Sequence, residues 1–358
     1  METTTLLHQQ NIGKEELIHL LTCEGEEEEI LFSHTRQLRN DTLSHKVHMR
    51  GLIEISNICI KDCLYCGIRK SNVHTERYFL NDNEILQTAR YAWENHYGSI
   101  VLQGGERCDS AFILRIENLL KKIKELSNGQ LGITLSLGEQ TADTYKRWFD
   151  AGAHRYLLRI ETSNEKLYQK IHPQNELHHF QTRLNCIHLL QKCGYQTGTG
   201  VMIGLPFQTI ADLADDLLFL KAMDIDMVGM GPYLEHKETP LWTCRDQLLS
   251  PASRLKLGLH MVSCLRLLMP DINIAATTAL QAIDPLGREK ALEIGANVIM
   301  PNITPLTNRA HYQLYENKPG MDEGAEESTR RLMESVHRSG CEIQFDDWGD
   351  SLHWKRRT

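Results

Sequence analysis

From Val47 onward the chain alternates short runs rich in β-branched residues with longer stretches carrying apolar residues at three- and four-residue spacing, a pattern that confines it to repeated βα units. Strands are expected at 49–56, 99–103, 133–137, 155–161, 197–204, 225–231, 272–277 and 297–300. Helices are expected between them at 83–95, 110–126, 142–151, 180–192, 210–223, 252–268 and 287–294. Parallel strands need crossovers of this length, and eight such units favour an α/β fold, a closed (β/α)8 TIM-type barrel, over an open sheet. In that barrel the working residues gather at the C-terminal ends of the strands. The expected organisation is an N-terminal helical cap over 1–46, the barrel over 47–305, and a C-terminal helical tail over 306–358 that closes it. The cap is helical over 15–21 and 26–38; the tail is loop-rich to Pro319, then acidic and helical from Asp322 to Arg338.

With 358 residues, 41% of them hydrophobic, the chain can fill one large core. No apolar run is long enough to span a bilayer, and the polar start lacks the order of a signal peptide, so neither membrane nor secretion is expected and the location is cytoplasmic. The net charge of −8, with no clustered lysines and arginines, offers a polyanion nothing to bind, so nucleic acid is not an expected partner. Nothing in the helices demands a second subunit, and a monomer is expected.

Ten cysteines in a reducing compartment matter by position rather than by number. Cys23, Cys108, Cys186, Cys193, Cys244, Cys264 and Cys341 lie singly, as buried inert thiols do. Cys59, Cys63 and Cys66 fall within eight residues directly after the first strand. Cubane iron-sulfur clusters usually take four thiolates, so three leave one iron open for chemistry. The competing reading is zinc in a non-catalytic binding or scaffold protein. It needs a fourth nearby ligand, and the nearest histidine is His74. The spacing C-x-x-x-C-x-x-C, with Tyr65 before the last cysteine, is the signature of the radical S-adenosylmethionine (SAM) superfamily.

The other strand ends are polar where their bodies are apolar. The second ends Gln103-Gly104-Gly105-Glu106, where adjacent glycines admit close backbone approach or simply make a turn. The third carries Thr134, Ser136 and Glu139. The fourth presents Arg159 and Glu161 on one face, either as a charged pair at the mouth or as a structural salt bridge. Arg183, on the following helix, can reach that mouth or lie solvated. Gly198, Gly200 and Met202 can let an adenine lie against backbone and thioether. Thr277 and Thr278 end the seventh strand, where a hydroxyl can orient a carboxylate or cap a turn.

Beyond the cysteine motif the sequence resembles the HydE family, the radical SAM maturases of [FeFe]-hydrogenase. The stretches Cys63-Leu-Tyr-Cys-Gly-Ile-Arg69, Thr134-Leu-Ser-Leu-Gly-Glu139, Arg155-Tyr-Leu-Leu-Arg-Ile-Glu-Thr162 and Gly295-Ala-Asn-Val-Ile-Met-Pro-Asn302 carry the likeness, which runs from about Val47 to Tyr315. Relatives that make biotin or methylornithine share less of the motif pattern. The resemblance implies one [4Fe-4S] cluster on Cys59, Cys63 and Cys66, with SAM held by Tyr65, Gln103, Gly104, Gly105, Glu106, Ser136, Glu161, Arg183, Met202 and Tyr312. It implies a substrate carboxylate on Thr134, Arg159, Thr277 and Thr278, with Tyr315 joining Tyr312 at the cavity mouth. It further implies an electron donor such as ferredoxin or flavodoxin, an organometallic or amino-acid-derived substrate, and transient contact with the sister maturases HydG and HydF. The family's second cluster needs three late cysteines, whereas only Cys341 lies beyond Met300, so none is expected.

Overall fold

A computed structural model describes residues 2–9, 11–322 and 324–358. Its sheet is parallel and runs β1 (Lys46–Ser56), β2 (Ser99–Gly104), β3 (Gly132–Ser136), β4 (Arg155–Leu157), β5 (Gln196–Thr199), β6 (Met227–Val228), β7 (Asn273–Ile274) and β8 (Val298–Ile299). β8 returns to β1 through His48↔Val298 and Met49↔Ile299. The remaining seam, between β7 and β8, is joined by the Ala275↔Val298 bridge and by Asn297 N–H to Ile274 carbonyl at 2.9 Å. Eight strands therefore curl into the expected barrel.

Several helices begin where a side chain can satisfy a free amide. Asn81, Asp109, Thr141, Asn164, Thr209 and Ser250 all accept from a backbone N–H in the first turn of the following helix. Such caps contribute about 1 kcal/mol apiece. Apolar helix faces then cover the outward side of the sheet in one core that runs from Leu6 to Cys341. The N-terminal helices Lys14–Thr22 and Glu26–Leu43 pack outside this layer, against Ile210–Ala222 and Pro251–Leu268. His260 fastens them, one ring nitrogen 2.9 Å from Leu21 carbonyl and the other 2.8 Å from Glu28. Among the described residues, no helix is long and apolar enough to cross a membrane.

Several strands are shorter than the sequence pattern indicates. The expected strand 155–161 stops at Leu157: Ile160 N–H goes to the Thr199 hydroxyl at 3.1 Å rather than to a backbone carbonyl, and Glu161 takes a left-handed φ of 70°. The expected strand 197–204 divides: the ladder resumes only as Met202–Ile203 beside Gly231–Pro232. Between the halves Gly200 and Gly229 come so close that a Cβ on Gly200 would strike the Gly229 carbonyl.

The tail holds what periodicity did not reveal. Its helix starts at Ala325 rather than Asp322, and Glu342–Gln344 (β9) pairs with the start of β1. The next residues cross the barrel floor. Arg155, fully buried, donates to Trp348 carbonyl at 2.6 Å and Asp350 Oδ1 at 2.7 Å. Arg50 and Asn273 donate to Gly349 carbonyl at 3.0 and 2.7 Å, and Gln196 donates to Asp350 at 2.9 Å.

Burial opposes ionisation of Asp350, yet the His154 ring 3.3 Å away and the charge of Arg155 hold its carboxyl well below the usual range. Asp350→Ala leaves Arg155 buried without its counter-charge and should cost about 3 kcal/mol, measured as a loss in thermal or urea unfolding. Because the folded pKa is depressed, the native carboxylate's contribution is complete above about pH 4 and is lost as pH falls further. The wild-type and variant unfolding free energies should therefore converge in acid.

Candidate active site

The loop after β1 carries Cys59, Cys63 and Cys66 across the C-terminal end of the barrel, and its backbone is tied down on every side. Ile60 N–H reaches Glu106 carbonyl at 2.9 Å, Leu64 N–H reaches Ile171 at 3.0 Å, and Gly67 N–H reaches Leu314 at 2.9 Å. Arg77 closes the turn from outside, donating to the carbonyls of Asn57 at 2.7 Å, Ile68 at 2.8 Å, Arg69 at 2.6 Å and Asn72 at 3.1 Å. Two glycines make the fit possible. A side chain on Gly105 would strike the Ile58 carbonyl and the Cβ of Cys59, and one on Gly67 would strike the Gln313 carbonyl and the His236 ring.

Glu106 N–H points at Cys59 Sγ, 3.3 Å away. Burial pushes all three thiols up, Cys63 to about 12, and each feels the negative charge of a neighbouring cysteine or acid. Thiolates so placed need cationic metal to exist at neutral pH. Among the described residues, no three His, Cys, Asp or Glu side chains converge on a single-ion site. In a cubane each cysteine ligates a different iron, so convergence on one point is not required. The donor set fits a cluster with three protein thiolates.

Beside the loop lies a group of four buried charges. Lys61, between Cys59 and Cys63, donates to Glu139 at 2.7 Å, sits 3.2 Å from Glu106, and also meets Leu177 carbonyl. Arg183 pairs with Glu139 and donates to Arg159 carbonyl at 2.7 Å. Burial raises Glu106, while Glu139 is lowered despite burial by the charges of Arg183 and Lys61. Lys61 is absent from the expected site residues, although it is the one cation between the first two cysteines. The sequence could have flagged it; the partnership with Glu139, 78 positions away, it could not.

The other expected residues fall at three levels. At the mouth, Arg159 pairs with Glu161 at 3.0 Å and donates to Val201 carbonyl at 2.9 Å. Glu161 is held in its left-handed conformation by Gly200 and Met202, at 3.0 and 2.9 Å. Gln103 donates to the Tyr312 hydroxyl at 3.3 Å, and Ser136 sits beside Gln103 in register. Gly104 closes the β1–β2 ladder against Ser56. Tyr315 is raised by burial and feels Arg288, Glu54 and Arg159. To one side, Thr277 donates to Met230 carbonyl at 3.1 Å and Thr278 accepts from Arg288 at 2.9 Å. Thr134 lies lower, accepting from Arg155 at 3.0 Å and lining an inner space with Arg50, Met227 and Asn273. Glu54 and Lys318 went unnoticed in the sequence: they form an ion pair at the mouth, with Asn302 donating to Glu54 at 3.0 Å.

Residues 53–220 match the model of the radical SAM superfamily. Over 291 residues the chain is 46% identical to the [FeFe] hydrogenase maturase subunit HydE of Thermotoga maritima, covering 81% of this chain and 80% of that one. The chain belongs to the HydE family of radical SAM enzymes. Among solved structures it is similar to methylornithine synthase (PylB), with a TM-score of 0.79 and 24% identity over 97% of this chain and 98% of that one. It is also similar to the HydG maturase from Carboxydothermus hydrogenoformans, with a TM-score of 0.80 and 18% identity over 96% and 78%. At those identities the two structures speak for the fold alone. A radical SAM enzyme carries a [4Fe-4S] cluster and SAM, and the donor set of the cysteine loop fits the first.

Because Gly105 abuts the loop backbone, Gly105→Val should displace Cys59 at an overpacking cost of about 1–3 kcal/mol. Iron and sulfide bound after anaerobic reconstitution should fall severalfold while the far-ultraviolet circular dichroism stays that of the wild type.

Proposed function

We propose that this HydE-family enzyme acts in assembly of the [FeFe]-hydrogenase active-site cluster, on a cysteine-derived iron carbonyl cyanide precursor. The observation that carries the reading is the three-cysteine loop at the C-terminal mouth of a barrel whose other strand ends supply matched charges. When bound, the cluster and SAM together supply one-electron cleavage of the sulfonium, releasing a 5′-deoxyadenosyl radical.

The chain's own residues bind, orient and shield. Cys59, Cys63 and Cys66 would hold the cluster through three thiolates, leaving it open to bind SAM. Glu106 is suited to the ammonium, since a cation arriving beside a carboxyl that burial has raised favours its ionised form. Arg183 offers a guanidinium to the carboxylate, and Met202 an apolar wall to the adenine. Arg159 has a partly exposed guanidinium, and with Thr277 and Thr278 it supplies donors for a substrate carboxylate. Tyr312 and Tyr315 cover the mouth and keep water from the radical. The remaining cysteines leave the proposal at a single cluster; Cys341, the last of them, is buried with its thiol on Ser339 carbonyl. The enzyme would work in the cytoplasm as a monomer, take electrons from a ferredoxin or flavodoxin, receive its substrate from HydG and deliver its product to HydF.

Anaerobic turnover of the reconstituted enzyme with the iron-cysteine precursor tests the assignment. Cys63→Ala should lose both the cluster signal and SAM cleavage. Arg159→Ala should keep the cluster and uncoupled 5′-deoxyadenosine formation but mature hydrogenase at least about tenfold more slowly, the weight of one lost charge-assisted hydrogen bond. Normal maturation by the Arg159 variant would remove the substrate carboxylate from this position.

A further inference from the structure

Tyr65 sits between two of the cluster cysteines, and what holds it is a residue outside the cysteine motif. Its hydroxyl lies 3.3 Å from Nε2 of His172, and the two rings meet edge to face at 5.3 Å and 89°. His172 caps the helix Glu165–Ile171 and is almost wholly buried. Its other nitrogen, Nδ1, lies 2.9 Å from Tyr168 carbonyl, and its ring stacks on Tyr168 at 3.9 Å and 23°. A carbonyl can only accept, so Nδ1 carries the hydrogen. In the neutral ring Nε2 then presents a lone pair, and the Tyr65 hydroxyl must donate to it. Burial, with the charge of Arg183 beside it, pushes His172 down to about 3, so the neutral tautomer is the working one.

The same junction holds the loop backbone: the hydrogen bond from Leu64 N–H to Ile171 carbonyl is made one residue away on each chain segment. Tyr65 and Leu64 pack against a small apolar cluster of Leu167, Ile171, Met202, Leu205, Tyr233 and Leu241, separate from the main core. Met202 is the residue assigned above to the adenine. The tyrosine, the methionine and the helix end bearing His172 thus make one wall, and the hydroxyl is the point at which that wall is pinned.

We propose that His172 is a positioning residue for the cofactor: by accepting from Tyr65 it fixes the crest of the cysteine loop against the nucleoside end of SAM, a role that rests on the radical SAM reading of the site. It touches neither cluster nor reacting atoms and acts through Tyr65.

The test uses the full chain, reconstituted anaerobically, as wild type, Tyr65→Phe, His172→Phe, the double variant and His172→Gln. The SAM concentration that half-completes the change in the reduced cluster's EPR signal is measured for each. Iron content should match the wild type throughout. Each of Tyr65→Phe and His172→Phe should raise that concentration by roughly fivefold, the weight of one hydrogen bond. The double variant should go no further, since both changes remove the same bond. His172→Gln, which can restore an acceptor, should recover most of the loss. Wild-type SAM response in the single variants, multiplied losses in the double, or loss of iron in His172→Phe alone would each overturn the role. A wild-type cluster indifferent to SAM would overturn the functional reading and this inference together, whereas a responsive wild type with unaltered variants overturns this inference alone.

Discussion

Four buried charges must neutralise one another for the cysteine loop to rest on the barrel. Lys61 comes from the loop, Glu106 from the end of β2, Glu139 from the turn after β3 and Arg183 from the helix Phe180–Lys192 between β4 and β5. A lone charge at that depth is costly to desolvate, so removing any one of the four strands the others. Packing alone would let the loop slide; pairing allows few positions, because donor and acceptor must meet within hydrogen-bond reach. The cysteines inherit that precision. So does the space beside them, bordered by Glu106, Glu139 and Arg183.

The barrel is loaded differently at its two ends. At the floor, Arg155 and Arg50 face the tail segment Trp348–Asp350, and the counter-charge and carbonyls they need arrive from 193 to 299 residues later in the chain. At the mouth, Lys318 from the same tail meets Glu54 of β1. Both ends of the first strand are thus completed by the last tenth or so of the chain. The tail seals the floor by satisfying buried cations and borders the mouth by pairing with a buried acid.

Strain is concentrated where chemistry is expected. Glu161 occupies a left-handed backbone conformation that costs a non-glycine residue on the order of 1 kcal/mol, and two backbone hydrogen bonds from the neighbouring strand extension hold it there. Regular strand geometry would carry the side chains of Arg159 and Glu161 in parallel along one face. The break instead turns Glu161 back so that its carboxylate meets the guanidinium of Arg159. Both readings of that pair, as salt bridge and as functional charge at the mouth, are compatible with what the structure contains, since a half-exposed arginine can exchange partners.

The eight βα units, the starts of the long barrel helices and the cysteine motif were legible in the sequence because each is a local signal. Periodicity of 2 or 3.6 and three thiols within eight positions are written in neighbouring letters. Their limits were equally local: the break at Glu161 and the split near Gly200 look like continuous strand until the facing backbone is known. Partnerships were not legible. That Lys61 answers Glu139, that Lys318 answers Glu54, that Asp350 answers Arg155 and that Tyr65 hangs on His172 are facts about distances between residues far apart in sequence. No spacing rule encodes them, because ion pairs and buried hydrogen bonds are chosen by the geometry of the closed barrel. The sequence by itself determined which chemistry the chain could perform; only the tertiary structure decided which side chains are free to perform it and which are spent holding the others in place.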